Sequence, residues 1–367
     1  MKLQIESKEL QQGLKKAGYA ASKRATLPIW EGVKIEGKEN CITLYTTNAE
    51  QGLLVYIAGQ VIEEGAAVVP YKILNEIVKK MKGNIILQDS KEEINTGSSY
   101  TRIDYKLQVN NSKLVGYDPD EFPIHITMDE GDTTFHGVLN HQAIERCIHA
   151  TSTDEAQPIL QGAYITDYVT CTDGYRITKH PQYHQNEGLK CIIPAATLNT
   201  YLKLSKEDAH IIANTDYAKI VINLSTILYT ILIDGKFPDA DAIINDSIKR
   251  GLPYKITMDK QELKEALETV GIVYKGAGKW VANYTAFDYK DGNLILSCEL
   301  DDNKLEATVT CEIEGNPFSF ALNYKYVLEC IASLDKDTIT LELNAHNTPV
   351  VIREGDYIEV IMPMQKE

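Results

Sequence analysis

The sequence predicts an α+β fold in which one strand-and-helix pattern occurs three times along the chain. The clearest copy is 68–82 (VVPYKILNEIVKKMK), where a short apolar strand meets Pro70 and a helix with one apolar face follows. Related strand-to-helix units begin at Ile192 and Phe320, at roughly equal steps along the chain. Such steps are too long for a solenoid repeat and suit whole domains of about 100–150 residues. The predicted domains are 1–125, 126–246 and 247–367.

The first repeat opens with a predicted strand over 3–5, and Ser7 is a plausible N-cap for a helix that reaches about Tyr19. Alternating apolar residues then predict further strands. These predicted strands are 32–35, 42–46, 53–57, 85–88 and 102–107. Helices and antiparallel strands segregated in this way indicate two helices packed on antiparallel sheets in each domain.

The second repeat begins near Thr133, with a helix near 142–149, and closes at 237–239 (FPD). The third begins at about Tyr254 and carries a predicted helix over 260–270. The strands predicted for these two repeats are 164–166, 170–172, 220–224, 228–233, 286–288, 294–298, 308–313, 338–343, 350–353 and 357–361. The same mixture of elements in all three parts supports one domain type repeated.

Composition limits the classes of protein to which the chain can belong. It has 367 residues, 44% of them hydrophobic, which is enough for two or three domains with cores. No run of 18 apolar residues is present, and the first residues are amphipathic, so we expect neither a membrane span nor a signal peptide. The seven scattered cysteines indicate reduced thiols. We therefore predict a cytoplasmic protein without a membrane partner.

No catalytic motif is found in the sequence: a P-loop, a nucleophile elbow and a zinc-protease motif are all missing. Asp173 could act as a catalytic carboxylate, but its setting in 172–175 (TDGY) favours a turn. The histidines at 180 and 184 are the only pair near metal-ligand spacing, and no acidic or cysteine ligands accompany them. We predict no enzyme activity, no metal and no cofactor. An enzyme using Asp173 and His180 is the least favoured alternative.

The net charge of −15 argues against nucleic acid, but many basic residues lie on or beside the repeated helices. A charged helix face is often simply solvated. If the helices of all repeats face one way, the same residues would line a surface that contacts phosphates without reading bases. The candidates for this DNA-facing set are Lys16, Lys23, Arg24, Lys72, Lys79, Lys80, Arg146, Lys203 and Lys264.

Apolar residues in 171–177 (CTDGYRI), at 237–238 and in the terminal 360–364 (VIMPM) form the second candidate site. If these residues are buried, they belong to a core. If they are exposed, they suit an adaptable peptide-binding cleft, because methionine repacks easily.

Together with the threefold repetition, five motifs resemble those of the bacterial DNA sliding clamps, the beta subunits of replicative DNA polymerase III. Each motif is weak alone, but all five occur in order over the whole chain. The motifs are 24–29 (RATLPI), 172–176 (TDGYR), 237–239 (FPD), 323–327 (NYKYV) and 362–364 (MPM).

This resemblance implies a head-to-tail homodimeric ring of six similar domains, with helices lining a hole around duplex DNA. A heterologous contact that closes makes a ring rather than a fibre. It also implies a processivity factor located with the nucleoid. The expected partners are a second copy of the chain, duplex DNA without sequence specificity, the replicative polymerase, the clamp loader and other proteins with a clamp-binding peptide.

The resemblance further implies a partner-peptide cleft between the second and third domains. Its residues would be Leu160, Thr172, Gly174, Tyr175, Arg176, Ile177, Pro238, Ile243, Asn323, Tyr326, Val360, Met362, Pro363 and Met364. Ile272 and Val273 match the apolar dimer contact, and Arg24 matches a DNA-contacting loop. Two positions depart from the family: Gln365 replaces a usual arginine, and 239–241 is acidic where a basic pair is usual. The main alternative is a scaffold that keeps the cleft but does not encircle DNA.

Overall fold

The computed structural model describes most of the 367-residue chain. The described residues are 1–22, 25, 27–95, 101–123, 133–184, 186, 188–275, 283–315 and 318–365. Lys23 and Arg24, both predicted to face DNA, lie outside them.

Seven α-helices are found among the described residues: α1 Ser7–Ala17, α2 Tyr71–Val78, α3 His141–Cys147, α4 Ala195–Leu204, α5 Ala240–Lys249, α6 Lys260–Val270 and α7 Tyr324–Ala332. Helix α6 has the predicted bounds. The predicted cap of α1 is wrong, because Ser7 is already the first helical residue and the N-cap Glu6 makes no side-chain capping bond. Helix α5 was not predicted.

The strands of the first repeat are β1 Lys2–Glu6, β2 Gly32–Lys38, β3 Cys41–Thr47, β4 Gln51–Ile57, β5 Gln60–Glu63, β6 Gly65–Pro70, β7 Asn84–Asn95, β8 Thr101–Val109 and β9 Ser112–Val115. Those of the second repeat are β10 Phe135–Leu139, β11 Gly162–Ile165, β12 Tyr168–Thr172, β13 Arg176–Pro181, β14 Cys191–Pro194, β15 Ala209–Ala213, β16 Tyr217–Asn223 and β17 Thr226–Ile231. Those of the third repeat are β18 Tyr254–Asp259, β19 Tyr284–Lys290, β20 Asn293–Leu300, β21 Asn303–Glu314, β22 Phe320–Asn323, β23 Thr338–Leu343, β24 Val350–Glu354 and β25 Tyr357–Ile361.

The predicted repetition is confirmed by the order of these elements. A strand is followed by the first helix of each repeat with at most one residue between them, in the pairs β1–α1, β10–α3 and β18–α6. A second strand runs directly into the second helix, in the pairs β6–α2, β14–α4 and β22–α7. The strands of the described residues pair only in the antiparallel direction, which gives the α+β class that the sequence predicts.

The first of two compact units comprises Met1–Leu139 and Ala196–Leu232. It contains a sheet of order β5-β1-β7-β8-β9 and an eight-stranded sheet of order β10-β15-β16-β17-β4-β3-β2-β6. Because β17 pairs with β4, the eight-stranded sheet contains strands of both the first and the second repeat. Helix α1 packs on β3, β4 and α2, and it buries Leu10 and Leu14 completely. Removing these apolar side chains from water stabilises the unit.

The other compact unit comprises Asn140–Ala195 and Ile233–Glu367. Its twelve-stranded sheet has the order β14-β11-β12-β13-β25-β24-β23-β18-β21-β20-β19-β22. The β13–β25 pairing joins the second repeat to the third. Helix α3 packs on β12 and β13, and α6 packs on β18, β20, β21 and α7. The boundaries predicted for three sequence domains stay a prediction, since the second repeat contributes to both units.

Among the described residues, no helix is both long and apolar enough to cross a membrane.

Candidate functional site

The turn between β12 and β13 is built by the side chains of 172–176. Asp173 Oδ1 accepts hydrogen bonds from the backbone N–H groups of Tyr175 (3.0 Å) and Arg176 (3.1 Å). Thr172 Oγ1 accepts from the Gly174 N–H at 3.1 Å and donates to the Arg176 carbonyl at 2.6 Å. Gly174 has φ +91°, a conformation that favours glycine. The prediction that Asp173 serves a turn is confirmed.

Arg176 is the last residue of this turn, and its side chain is only 4% exposed. Its Nε donates to Asp173 Oδ2 at 3.1 Å, and its Nη2 lies 2.7 Å from Glu329 Oε2 and donates to the His149 carbonyl at 2.5 Å. The guanidinium carbon lies 4.3 Å from the centroid of the Tyr326 ring, within cation–π distance. Nη1 has no partner within the described part of the chain. The guanidinium therefore holds the turn from inside the protein, and its Nη1 is buried from solvent.

Glu359 lies in β25 and is fully buried. Its Oε2 accepts a hydrogen bond from the Tyr357 hydroxyl at 2.6 Å and lies 3.2 Å from His149 Nε2. Burial raises the pKa of Glu359, but the charge of His149 and the hydrogen bonds lower it by more, so the net shift is downward. Burial lowers the pKa of Arg176, but Glu359 is the first of several carboxylates that raise it by more. The buried charges around the turn therefore stabilise one another.

The apolar part of the site is organised by the β13–β25 pairing, which places Ile177 opposite Val360. These two residues form a buried cluster with Ala240 and Ile244 of α5 and with Val351 of β24. The cluster connects strands β13, β24 and β25 with helix α5, and it explains why α5 lies against this end of the sheet.

The terminal segment after β25 is held by backbone hydrogen bonds on two sides. The Met362 N–H donates to the Tyr175 carbonyl at 2.9 Å, and the Met364 N–H donates to the Ala321 carbonyl at 2.8 Å. The segment therefore runs from the 172–176 turn to β22. These bonds bring the predicted tail and turn together.

Several apolar side chains of this group remain accessible. Tyr175 is 66% exposed, Met362 is 42% exposed and Ile243 is 41% exposed. Pro363 and Met364 are half-buried. Neighbouring exposed apolar residues around a rigid turn are typical of a protein interaction site. The sequence left open a core or a cleft, and this accessibility favours a cleft.

Two of the predicted cleft residues have additional structural roles. Asn323 caps α7 by accepting a hydrogen bond from the Lys325 N–H at 3.0 Å. Pro238 accepts from the Ala240 N–H at 2.8 Å, just before α5. Leu160 is half-buried in the 3₁₀ turn Pro158–Gln161, and none of the contacts described above joins it to the other cleft residues.

Helix α5 is the part of the site that the sequence interpretation missed. Asp239 is its N-cap and accepts a hydrogen bond from the Ala242 N–H at 3.0 Å. Asp241 forms an ion pair with Lys179, whose Nζ lies 3.9 Å from the centroid of the Tyr168 ring. The acidic 239–241 segment is therefore a helix start with one of its carboxylates paired. An aspartate followed by apolar residues at helical spacing was the available signal.

The described residues predicted to face DNA differ in their environments. Lys72, Lys79, Lys80 and Lys203 are exposed, and Lys16 is half-buried. Lys264 is also exposed, and it lies 3.9 Å from Glu268. Their predicted role stays a prediction.

Arg146 requires a correction, because it is only 7% exposed. Its Nη2 donates to Glu354 Oε2 at 2.7 Å and also to Asp335 Oδ2. Its guanidinium carbon lies 5.9 Å from the centroid of the Tyr357 ring. A side chain so buried and twice paired offers no free positive charge to a surface. The prediction that Arg146 faces DNA is wrong, and the residue stabilises the fold instead.

The predicted dimer contact lies in the 3₁₀ turn Gly271–Tyr274, directly after α6. Ile272 is 49% exposed and Val273 is half-buried. Tyr274 is buried and stacks on Tyr324, with ring centroids 5.8 Å apart. An exposed isoleucine on an anchored turn suits an interface, although its role stays a prediction.

No group of three or more potential metal ligands is found among the described residues. Of the two histidines considered above, His180 is buried, and its Nδ1 lies 2.7 Å from the Pro181 carbonyl oxygen. Burial lowers the pKa of His180. Its environment is that of a core histidine.

Comparison with known proteins gives a consistent result. Residues 1–127 match the family model described as DNA polymerase III beta subunit, N-terminal domain, and residues 250–365 match its C-terminal domain. The beta sliding clamp of Staphylococcus epidermidis is 24% identical over 94% of both chains, and that of Staphylococcus aureus is 25% identical over the same shares.

Solved structures show the same fold. The Bacillus subtilis DNA polymerase sliding clamp has a TM-score of 0.83 at 18% identity and covers 100% of both chains. The Bartonella birtlesii DnaN sliding clamp, solved bound to griselimycin, has a TM-score of 0.84 at 20% identity with the same coverage. Since two models of one family together match well over half of the sequence, the chain belongs to the family of DNA polymerase III beta subunits, the bacterial beta sliding clamps.

Proposed function

We propose that this chain is a DNA polymerase processivity factor that closes into a head-to-tail homodimeric ring around duplex DNA. The ring tethers the replicative polymerase and other replication or repair proteins to the template. The observation that carries the proposal is the accessible apolar site around the 172–176 turn and the 362–364 tail, in a chain of the sliding clamp family. The contacts with DNA are to phosphates, so no base sequence is preferred.

The ring can be tested by its retention on DNA of different topology. Clamps loaded by the clamp loader onto nicked circular duplex should remain bound in salt that removes proteins held only by phosphate contacts. The same clamps should be lost when the circle is cut, because a ring slides off a free end. Equal retention on circular and linear DNA, or failure to stimulate the polymerase, would overturn the proposal.

The cleft is proposed to receive a short peptide with a glutamine followed by leucines and a phenylalanine. Exposed Tyr175, Met362 and Ile243 offer apolar surface to such anchors, and methionine adapts to different shapes. The turn that carries Tyr175 is held by Arg176, whose guanidinium donates to Asp173 and to the His149 carbonyl. The clamp loader and the polymerase would compete for this site.

The proposed activity requires no bond-making chemistry. Asp173, the carboxylate considered as a catalytic group, already accepts two backbone N–H groups and pairs with Arg176. We therefore propose that the protein acts by topology and binding alone. Turnover of a substrate that is lost in Asp173→Asn would contradict this part of the proposal.

We expect Ile272→Asp to convert the dimer into monomers. The exposed isoleucine would become buried between protomers, and a buried unpaired carboxylate is costly. Sedimentation equilibrium at micromolar concentration measures the change. Ile231→Asp is the matched control, because Ile231 is also exposed and lies at the end of β17 in the second repeat. An Ile272→Asp protein that sediments like the parent would show that the interface lies elsewhere.

A further inference from the structure

The first helices of the first and third repeats correspond residue by residue. Helix α1 follows β1 without a gap, and α6 follows β18 in the same way. Leu10 and Leu14 of α1 occupy the positions of Leu263 and Leu267 in α6, and all four are fully buried. Gly18 and Gly271, each directly after its helix, complete the register.

Two exposed positions of these helices are more acidic in α6 than in α1, whereas Lys264 of α6 lies where α1 has Gln11. Lys15 in α1 corresponds to Glu268 in α6, and both are exposed. Gln12 corresponds to Glu265, which is also exposed. Glu268 additionally neutralises part of the charge of Lys264, 3.9 Å away. The same position in the fold is therefore basic in one repeat and acidic in the other.

The residues that follow the second helices of these two repeats also differ in charge. Tyr71 of α2 corresponds to Tyr324 of α7 when each helix is counted from its first residue. In this register the exposed Lys80 corresponds to Ser333, and the exposed Lys82 corresponds to Asp335. The carboxylate of Asp335 pairs with buried Arg146, an arrangement that anchors this position in the fold.

In the first repeat the two helices form one continuous surface. Gln11 of α1 donates to the carbonyls of Val78 (2.8 Å) and Met81 (3.2 Å), and the Tyr71 hydroxyl donates to the Leu14 carbonyl (3.0 Å). The basic residues of this surface form no ion pair with any described residue, apart from Lys79, which pairs with Glu76 at 2.7 Å. These unpaired residues, which define the α1–α2 surface, are Lys15, Lys16, Lys72, Lys80 and Lys82.

We propose that the α1–α2 surface of the first repeat supplies more phosphate contacts than helix α6 of the third repeat, where Glu265 and Glu268 repel the duplex. This inference rests on the proposed ring and makes DNA binding unequal among its domains. Five unpaired lysines can replace several counterions of a duplex, whereas Glu265 and Glu268 replace none. A ring of this kind would hold its duplex more strongly through the first repeat of each protomer than through the third.

The test is the salt dependence of binding to a short linear duplex at low ionic strength. In Lys15→Glu/Lys80→Glu we expect weaker binding and a shallower slope of log K against log salt, by about 0.9 for each phosphate that the protein no longer neutralises. In Glu265→Lys/Glu268→Lys, the reversal on α6, we expect tighter binding and a slope that is steeper by a similar amount for each additional phosphate neutralised. Glu63→Lys on the exposed strand β5 is the control for the introduction of a lysine and should leave the slope unchanged.

Both reversals are at exposed positions, so thermal unfolding should show that the variants remain folded. An unchanged slope in either reversal would overturn the inference. Retention of the unmodified clamp on circular duplex separates the two proposals. If the clamp is retained but the variants bind with the same slope of log K against log salt as the parent, only the unequal distribution of phosphate contacts is refuted. If the clamp is not retained, the ring itself is refuted.

Discussion

Truncation of the chain after Ile361 is expected to abolish binding of a Gln-Leu-Ser-Leu-Phe peptide. The truncation removes the two methionines and the backbone N–H groups that bond to the Tyr175 and Ala321 carbonyls. Full burial of an exposed methionine side chain contributes about 1.5–3 kcal/mol. Because Met362 and Met364 are already partly buried, the loss of both should weaken binding at least about 10-fold. Fluorescence polarisation with a labelled peptide measures the effect directly.

Two full-length variants make this measurement sharper. Met362→Ala should weaken binding while keeping the backbone hydrogen bond to Tyr175, which separates the side chain from the path of the tail. Gln365→Ala is the control, because Gln365 is exposed and lies beyond the bonded part of the tail. Equal affinity of the truncated and intact chains would place the cleft elsewhere. Failure of the intact chain to bind would show that Gln365 and the acidic 239–241 segment have changed the peptide preference.

Substitution of Arg146 by alanine is expected to destabilise the unit that contains the cleft by about 3–5 kcal/mol. It would leave Glu354, which is only 8% exposed, as a buried carboxylate without its cation. Chemical denaturation, followed by hydrogen exchange in β24 and α3, measures the loss. Arg250→Ala is the control, because Arg250 forms an exposed ion pair with Asp246 and should contribute less than about 1 kcal/mol. Equal effects of the two substitutions would contradict the structural role of Arg146.

The cost of Arg146→Ala should depend on pH. Burial raises the pKa of Glu354, but the backbone N–H groups of Asp335 and Lys336, together with Arg146, lower it by more. A carboxyl whose pKa is lowered by folding contributes stability above its ordinary pKa of about 4.3, and that stability is lost as the pH falls through the folded value. The difference between parent and variant should therefore be largest near neutral pH and should shrink below about pH 4.

The repeated strand-and-helix units could be predicted because their apolar residues recur at clear periods. Helix α6 and strand β25 have the predicted bounds. The helix lies between the N-cap Asp259 and Gly271, and the strand lies between Gly355 and Pro363. Helix α5 was missed because its N-cap and first turn each contain an aspartate after Pro238, so the segment resembles a loop. Its apolar face becomes evident only when Ile244 is seen against Ile177 and Val360.

The candidate site was predicted unevenly for physical reasons. The turn at Asp173 is local, so its side-chain hydrogen bonds follow from neighbouring residues in the sequence. The environment of Arg146 depends on Asp335 and Glu354, far along the chain, and the seven-residue helix α3 is too short for its periodicity to reveal a buried arginine. A count of basic residues on helices cannot separate paired guanidinium groups from free lysines.

The division of the second repeat between two sheets has a consequence for dissecting the chain. Its strand β17 pairs with β4 of the first repeat, and its strand β13 pairs with β25 of the third. A fragment containing the second repeat alone would present both strands as bare edges, and exposed edges recruit other chains into aggregates. Expression of this fragment should give insoluble protein, even though the sequence predicts that it forms a domain. Fusion proteins and split reporters should therefore be joined at loops within a repeat, and the chain should not be divided at the boundaries between repeats.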